Sequence, residues 1–141
     1  MSEYDTDILT WSEHQSELLR RLARGEKVNA LIDWDNVAEE IESVGRDQLS
    51  AVESLLQQAL IHMLKAQGWP ESRDAPVWLA DAINFRSQAT ARFAPSMRQR
   101  IDLKRVFRRA RRAVPTSMDG RAPLPLPSEC PLTLDELLAE D

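Results

Sequence analysis

Between Asp33 and Gln67 the chain has no proline and only one glycine, Gly45, while apolar residues recur every three or four positions. That spacing suits a helix and not the alternation of a strand. On a helical wheel Ala30, Trp34, Val37, Ala38, Ile41 and Val44 form one arc. Leu49, Val52, Leu55, Leu56, Ala59, Leu60 and Met63 form a second, turned from the first by only about 50°. The pattern predicts one long rod over about 33–67, roughly 50 Å at 1.5 Å per residue, bent where Gly45 weakens it.

Shorter amphipathic segments flank the rod. A first helix is expected from Asp5 to Arg24, with Tyr4, Ile8, Trp11, Leu18, Leu19 and Leu22 inward. Asp5 or Thr6 can cap it, and Gly25 suits the left-handed position just past its end. After Gly68-Trp69-Pro70 a further helix carries Trp78, Ala82, Phe85, Ala89 and Phe93, with Pro76 in its first turn and Pro95 as its stop. The last long helix, 97–114, is capped by Ser96 and turns Leu103, Val106, Phe107, Ala110 and Val114 inward. Five prolines between 115 and 131 leave no helical period, so an extended segment over the helices is expected. Thr133 and Glu136 then spell a capping box for a short final helix.

The expected fold is all-α. It is an up-and-down four-helix bundle with a long bent second helix and a proline-rich tail ending in a short helix. The bundle takes residues 1–114 and the tail 115–141, packed together as one domain. No apolar run approaches the roughly 20 residues that span a bilayer, and the acidic start MSEYDTD does not read as a signal peptide. With one cysteine, Cys130, no internal disulfide can form, and a cytoplasmic setting is expected.

Several stretches resemble a known family. Ala38-Glu-Glu-Ile-Glu-Ser-Val-Gly-Arg46, Val52-Glu-Ser-Leu55 and Leu60-Ile-His-Met-Leu-Lys65 look like the core signature of the bacterial "domain of unknown function twenty-nine" family. The opening YDTDILTWSEHQSELLR and the ending Cys130-Pro-Leu-Thr-Leu-Asp-Glu-Leu-Leu138 are similar to its two ends. Leu132 stands where that family often has an aromatic. The resemblance implies a small all-helical protein and supplies no activity, ligand or catalytic residue.

Charge is unevenly spread. Residues 1–60 hold 13 acids and 5 bases, whereas residues 61–120 hold 5 acids and 12 bases, within a chain of net charge −5. Eight of those bases crowd the expected last long helix: Arg98, Arg100, Lys104, Arg105, Arg108, Arg109, Arg111 and Arg112. They fill the arc opposite Leu103 and Phe107. Such a face can pair with the acidic helices, bind a protein partner, or track a phosphate backbone. The acidic total and the lack of stacking aromatics on this helix weigh against nucleic acid.

Four polar residues fall at the edge of the apolar arcs: Glu42, Arg46, Glu53 and His62. Glu42 and Arg46 have the spacing of a helix brace. His62 and Glu53 read as hydrogen-bonded boundary residues, because a di-metal bundle needs two Glu-x-x-His pairs and the chain has none. Phosphate loops, nucleophile elbows and His-Glu-x-x-His are also missing from the sequence. Cys130 sits in an acidic tail that discourages a thiolate. The expectation is a non-enzymatic module without cofactor or metal that binds another protein or itself. The alternative is a nucleic-acid-associated module using 97–114, and the third reading is a metal-binding bundle centred on His62.

Overall fold

The asparagines, aspartates, glycines and prolines that punctuate the sequence set the helix ends. A computed structural model describes residues 1–139. Its described residues form six α-helices and no strand: α1 (Glu3–Thr6), α2 (Ile8–Ala23), α3 (Trp34–Gly68), α4 (Ala75–Arg92), α5 (Leu103–Ala113) and α6 (Leu134–Leu138). Short 3-10 turns lie at Asn29–Leu31 and Pro95–Met97. The α3 helix runs unbroken through Gly45.

Two caps differ from expectation. Asp7, not Asp5 or Thr6, starts α2, because its carboxylate accepts the Thr10 N–H at 3.1 Å. Asp102, not Ser96, starts α5, accepting the Arg105 N–H at 3.1 Å. Pro95 drives residues 95–97 into a 3-10 turn, and the α-helix begins only at Leu103. Gly25 closes α2 at φ 92°, the left-handed position that glycine adopts without steric cost.

The chain divides into two compact units, residues 1–46 and 47–141. In the first, Trp11, Ile32 and Val37 are buried, with Tyr4, Leu18, Leu19 and Leu22 packed around them. The Tyr4 and Trp11 rings meet edge to face, 4.8 Å between centroids. The Asp33 carboxylate, just before α3, accepts from Trp11 Nε1 at 3.0 Å and Asn36 Nδ2 at 2.8 Å. These bonds hold its pKa below the ordinary value, Asn36 contributing most. Gln15 takes the Asp33 N–H at 2.8 Å, so α2 is tied to the start of α3 by polar groups as well as by packing.

The second unit holds the larger cluster. Val52, Leu56, Leu60 and Leu64 of α3 meet Trp78 and Ala89 of α4, Val106, Phe107 and Ala110 of α5, and Leu137 of α6. Leu132 packs against the same cluster. The tail reaches it through a close crossing: Leu124 donates its N–H to the Gly68 carbonyl at 2.8 Å. Trp69 Nε1 donates to the Arg121 carbonyl at 3.0 Å. The end of α6 is held by backbone carbonyls: Arg86 of α4 donates to Leu137 O at 3.0 Å and Glu136 O at 2.8 Å, and the Thr90 hydroxyl to Leu138 O at 2.9 Å.

The single core of an up-and-down bundle is not confirmed: each unit holds its own buried cluster. Nor are all of the expected inward residues covered. Ile8 is 49% exposed, Trp34 50%, Ile41 68% and Val44 64%. Of the first arc of α3 only Val37 is buried, because the buried cluster of the first unit is small and takes just one residue from that helix. Amphipathic spacing marks a face; it does not say how much of that face a neighbour reaches.

Candidate functional site

The basic face follows from how α5 packs. Val106, Phe107 and Ala110 are buried and Leu103 is half-buried, which turns Lys104, Arg105, Arg108, Arg109, Arg111 and Arg112 outward. Arg111 and Arg112 lie in the last turn, where the helix dipole favours cations. Arg98 and Arg100 precede α5 rather than belonging to it.

These cations differ in what answers them. Arg105 donates to Glu53 of α3 at 3.0 Å. The Glu53 side chain is only 16% exposed, so this pair explains a carboxylate placed inside an apolar arc. Arg98 forms an ion pair with Asp135 of α6 and sits 5.4 Å from the centre of the Phe93 ring, which makes it a clip between the 95–98 turn and the tail. Lys104, Arg108, Arg109, Arg111 and Arg112 make no ion pair among the described residues. The expected pairing of this face with acidic helices is therefore limited to Arg105.

A groove of about 550 Å³ opens between the end of α5 and the proline-rich segment. Arg108, Arg111 and Arg112 line one side, Thr116 and Ser128 add hydroxyls, and Leu126 supplies apolar wall. A second cleft of about 560 Å³ lies by the α3–α4 turn, but Arg73, Asp74, Asp119 and Arg121 give it charges of both signs.

His62 is anchored through one ring nitrogen. Nδ1 lies 2.7 Å from the Gln58 carbonyl, one turn back, and so carries the proton there. Nε2 faces Asp81 of α4 at 3.8 Å, and the ring lies against Phe85 at 5.3 Å. Among the described residues no three His, Cys, Asp or Glu side chains converge as a metal site would require. Glu42 and Arg46, expected at a core edge, are instead surface residues, 68% and 57% exposed at the side chain. Arg46 reaches Glu39 at 2.7 Å and Glu42 at 3.7 Å, a brace along about two turns of α3. Burial pushes the Cys130 thiol up, with Glu136 adding less, so desolvation rather than the acidic setting is the main reason it resists ionisation.

Sequence reasoning missed the groove, since its second wall comes from residues 115–128, which carry no period to place them. It also missed Arg86 and Thr90, whose targets are backbone carbonyls and leave no mark in side-chain patterns.

Among the described residues, no helix is long and apolar enough to cross a membrane. No curated protein matches the chain. An alpha-helical protein of unknown function from Rhodospirillum rubrum, known from a crystal structure, is 27% identical with a TM-score of 0.65, over 100% of this chain and 92% of that one. The chain belongs to the family described as Domain of unknown function DUF29, whose profile matches residues 3–141.

Proposed function

We propose that this family member is a non-enzymatic interaction module, and that the outward face of α5 holds the acidic surface of a second copy of the chain. The observation that carries the reading is the set of five α5 cations without a carboxylate partner among the described residues. A complementary surface is present in the same sequence: residues 1–46 hold 11 acids against 5 bases. That stretch also leaves Trp34, Ile41 and Val44 exposed beside Asp35, Glu39 and Glu42. Charge steers and selects in such a contact, while apolar contact supplies most of the affinity.

The test is the solution mass. Light scattering should give a dimer of the 16.1 kDa chain at low salt that shifts toward monomer as salt rises. Changing Lys104→Gln and Arg109→Gln together removes two cations that make no ion pair among the described residues, so it should favour the monomer without loss of thermal stability. A monomer at every salt concentration would end the self-association reading. The same five cations also favour the nucleic-acid alternative. Steeply salt-dependent binding of duplex DNA or RNA by the monomer would put that alternative in its place.

A further inference from the structure

We infer that the groove between α5 and the proline-rich segment is a binding site for a phosphate ester, a phosphate group joined to an apolar or ring-bearing body. The inference stands on the groove alone and does not depend on self-association.

Arg108, Arg111 and Arg112 are spaced i, i+3 and i+4, so they rise from neighbouring positions on one flank of α5. Like charges at this spacing repel, and no carboxylate among the described residues pairs with any of them. The half-charge at the C-terminal end of α5 offsets only part of three full positive charges. An anion seated between the guanidinium groups relieves the repulsion. Phosphate suits them because each planar fork can present two N–H donors to two phosphate oxygens. Thr116 and Ser128 also line the groove and add hydroxyl donors.

The volume argues that more than a bare ion belongs there. At about 550 Å³ the groove has the size of a small-molecule site, far larger than one phosphate needs. Phe107, Val114, Pro123 and Leu126 give the same groove a substantial apolar share of its lining. A few charged donors set in a largely apolar lining are the composition that suits an amphiphilic anion.

The experiment is calorimetric titration of the full chain with inorganic phosphate and with phenyl phosphate, at fixed ionic strength. Phenyl phosphate should bind saturably and more tightly than inorganic phosphate. Arg112→Gln should weaken both by about tenfold, the worth of a charge-assisted hydrogen bond. Leu126→Ala should weaken phenyl phosphate and leave inorganic phosphate unchanged. Arg109→Gln, outside the groove, should leave both within about twofold, a change too small for a lost direct contact. Arg112→Lys keeps the charge and loses the fork, so it should fall between wild type and Arg112→Gln, which guards against reading a folding defect as lost binding. Two results overturn the site: no saturable heat from phenyl phosphate up to about 10 mM, or equal weakening by Arg109→Gln and Arg112→Gln, the mark of diffuse attraction. The self-association test uses Lys104 and Arg109, neither of which lines the groove, so either reading can fail alone.

Discussion

Pro123 lies against Gly68 so closely that a methyl group on Gly68 would meet the proline Cβ at 2.9 Å. The crossing brings the tail onto the end of α3, where Leu124 bonds the Gly68 carbonyl. Gly68→Ala should therefore cost about 1–3 kcal/mol through overpacking. Gly45→Ala is the control: nothing lies within 4 Å of its added methyl. Gly45 sits in mid-helix without a left-handed angle, so that change should stabilise by about 0.5–1 kcal/mol. Chemical denaturation of both variants checks the opposite signs.

Leu56 is fully buried and Ile41 is 68% exposed, although both sit on apolar arcs of the same helix. Leu56→Ala should cost about 2–5 kcal/mol, the price of a cavity. Ile41→Ala should stay within about 0.5 kcal/mol in the monomer, as surface changes do. Similar losses at both positions would mean that the first arc of α3 is covered after all.

The Tyr4 hydroxyl donates to Glu40 at 2.6 Å, and its pKa is raised from 10.0 to about 12, chiefly by that bond. A raised folded-state pKa means the bond contributes stability below pH 10.0, and the contribution is lost as pH climbs toward about 12. Tyr4 is the one tyrosine in the chain, so the ultraviolet absorbance of tyrosinate reports it directly. Glu40→Ala should move the midpoint down toward the ordinary value. An unchanged midpoint would remove Glu40 as the cause.

Arg86 donates to three carbonyls at the α6 end, and Thr90 to a fourth. Arg86→Ala should loosen α6 at a cost of about 1–3 kcal/mol, since the carbonyls lose charge-assisted donors. Hydrogen exchange in residues 134–139 should accelerate while that of α3 stays slow. Uniform acceleration across the chain would show that α6 does not open by itself.

Much of this architecture is written in local signals. Prolines 70, 76, 95 and 115 bound the later helices, the Thr133–Glu136 box starts α6, and Trp78, Ala89 and Phe93 of the α4 stripe join the larger cluster. What local signals cannot carry is how far apart elements approach. Ser96 and Asp102 are both competent caps, and the choice between them depends on Pro95 turning the chain and Ile101 being buried. Ile41 and Val44 have the right spacing and lack covering neighbours. Of the candidate site, the row of cations was legible from their crowding on one arc. Which of them are answered by carboxylates was not, because Glu53 and Asp135 lie 52 and 37 residues away along the chain from their arginines.

The grip of Arg86 and Thr90 on α6 has a consequence for how this part of the sequence can vary. Carbonyl oxygens are the same whatever side chain follows, so the two donors hold residues 136–139 without reading their identity. Leu137, fully enclosed, is held to a shape, Leu138 packs against the same cluster, and Glu136 serves the capping box. Substitutions at Ala139 can therefore accumulate among descendants while the helix stays attached, whereas a change at position 86, far upstream, loosens it. The attachment is inherited through α4, not through the segment that is attached.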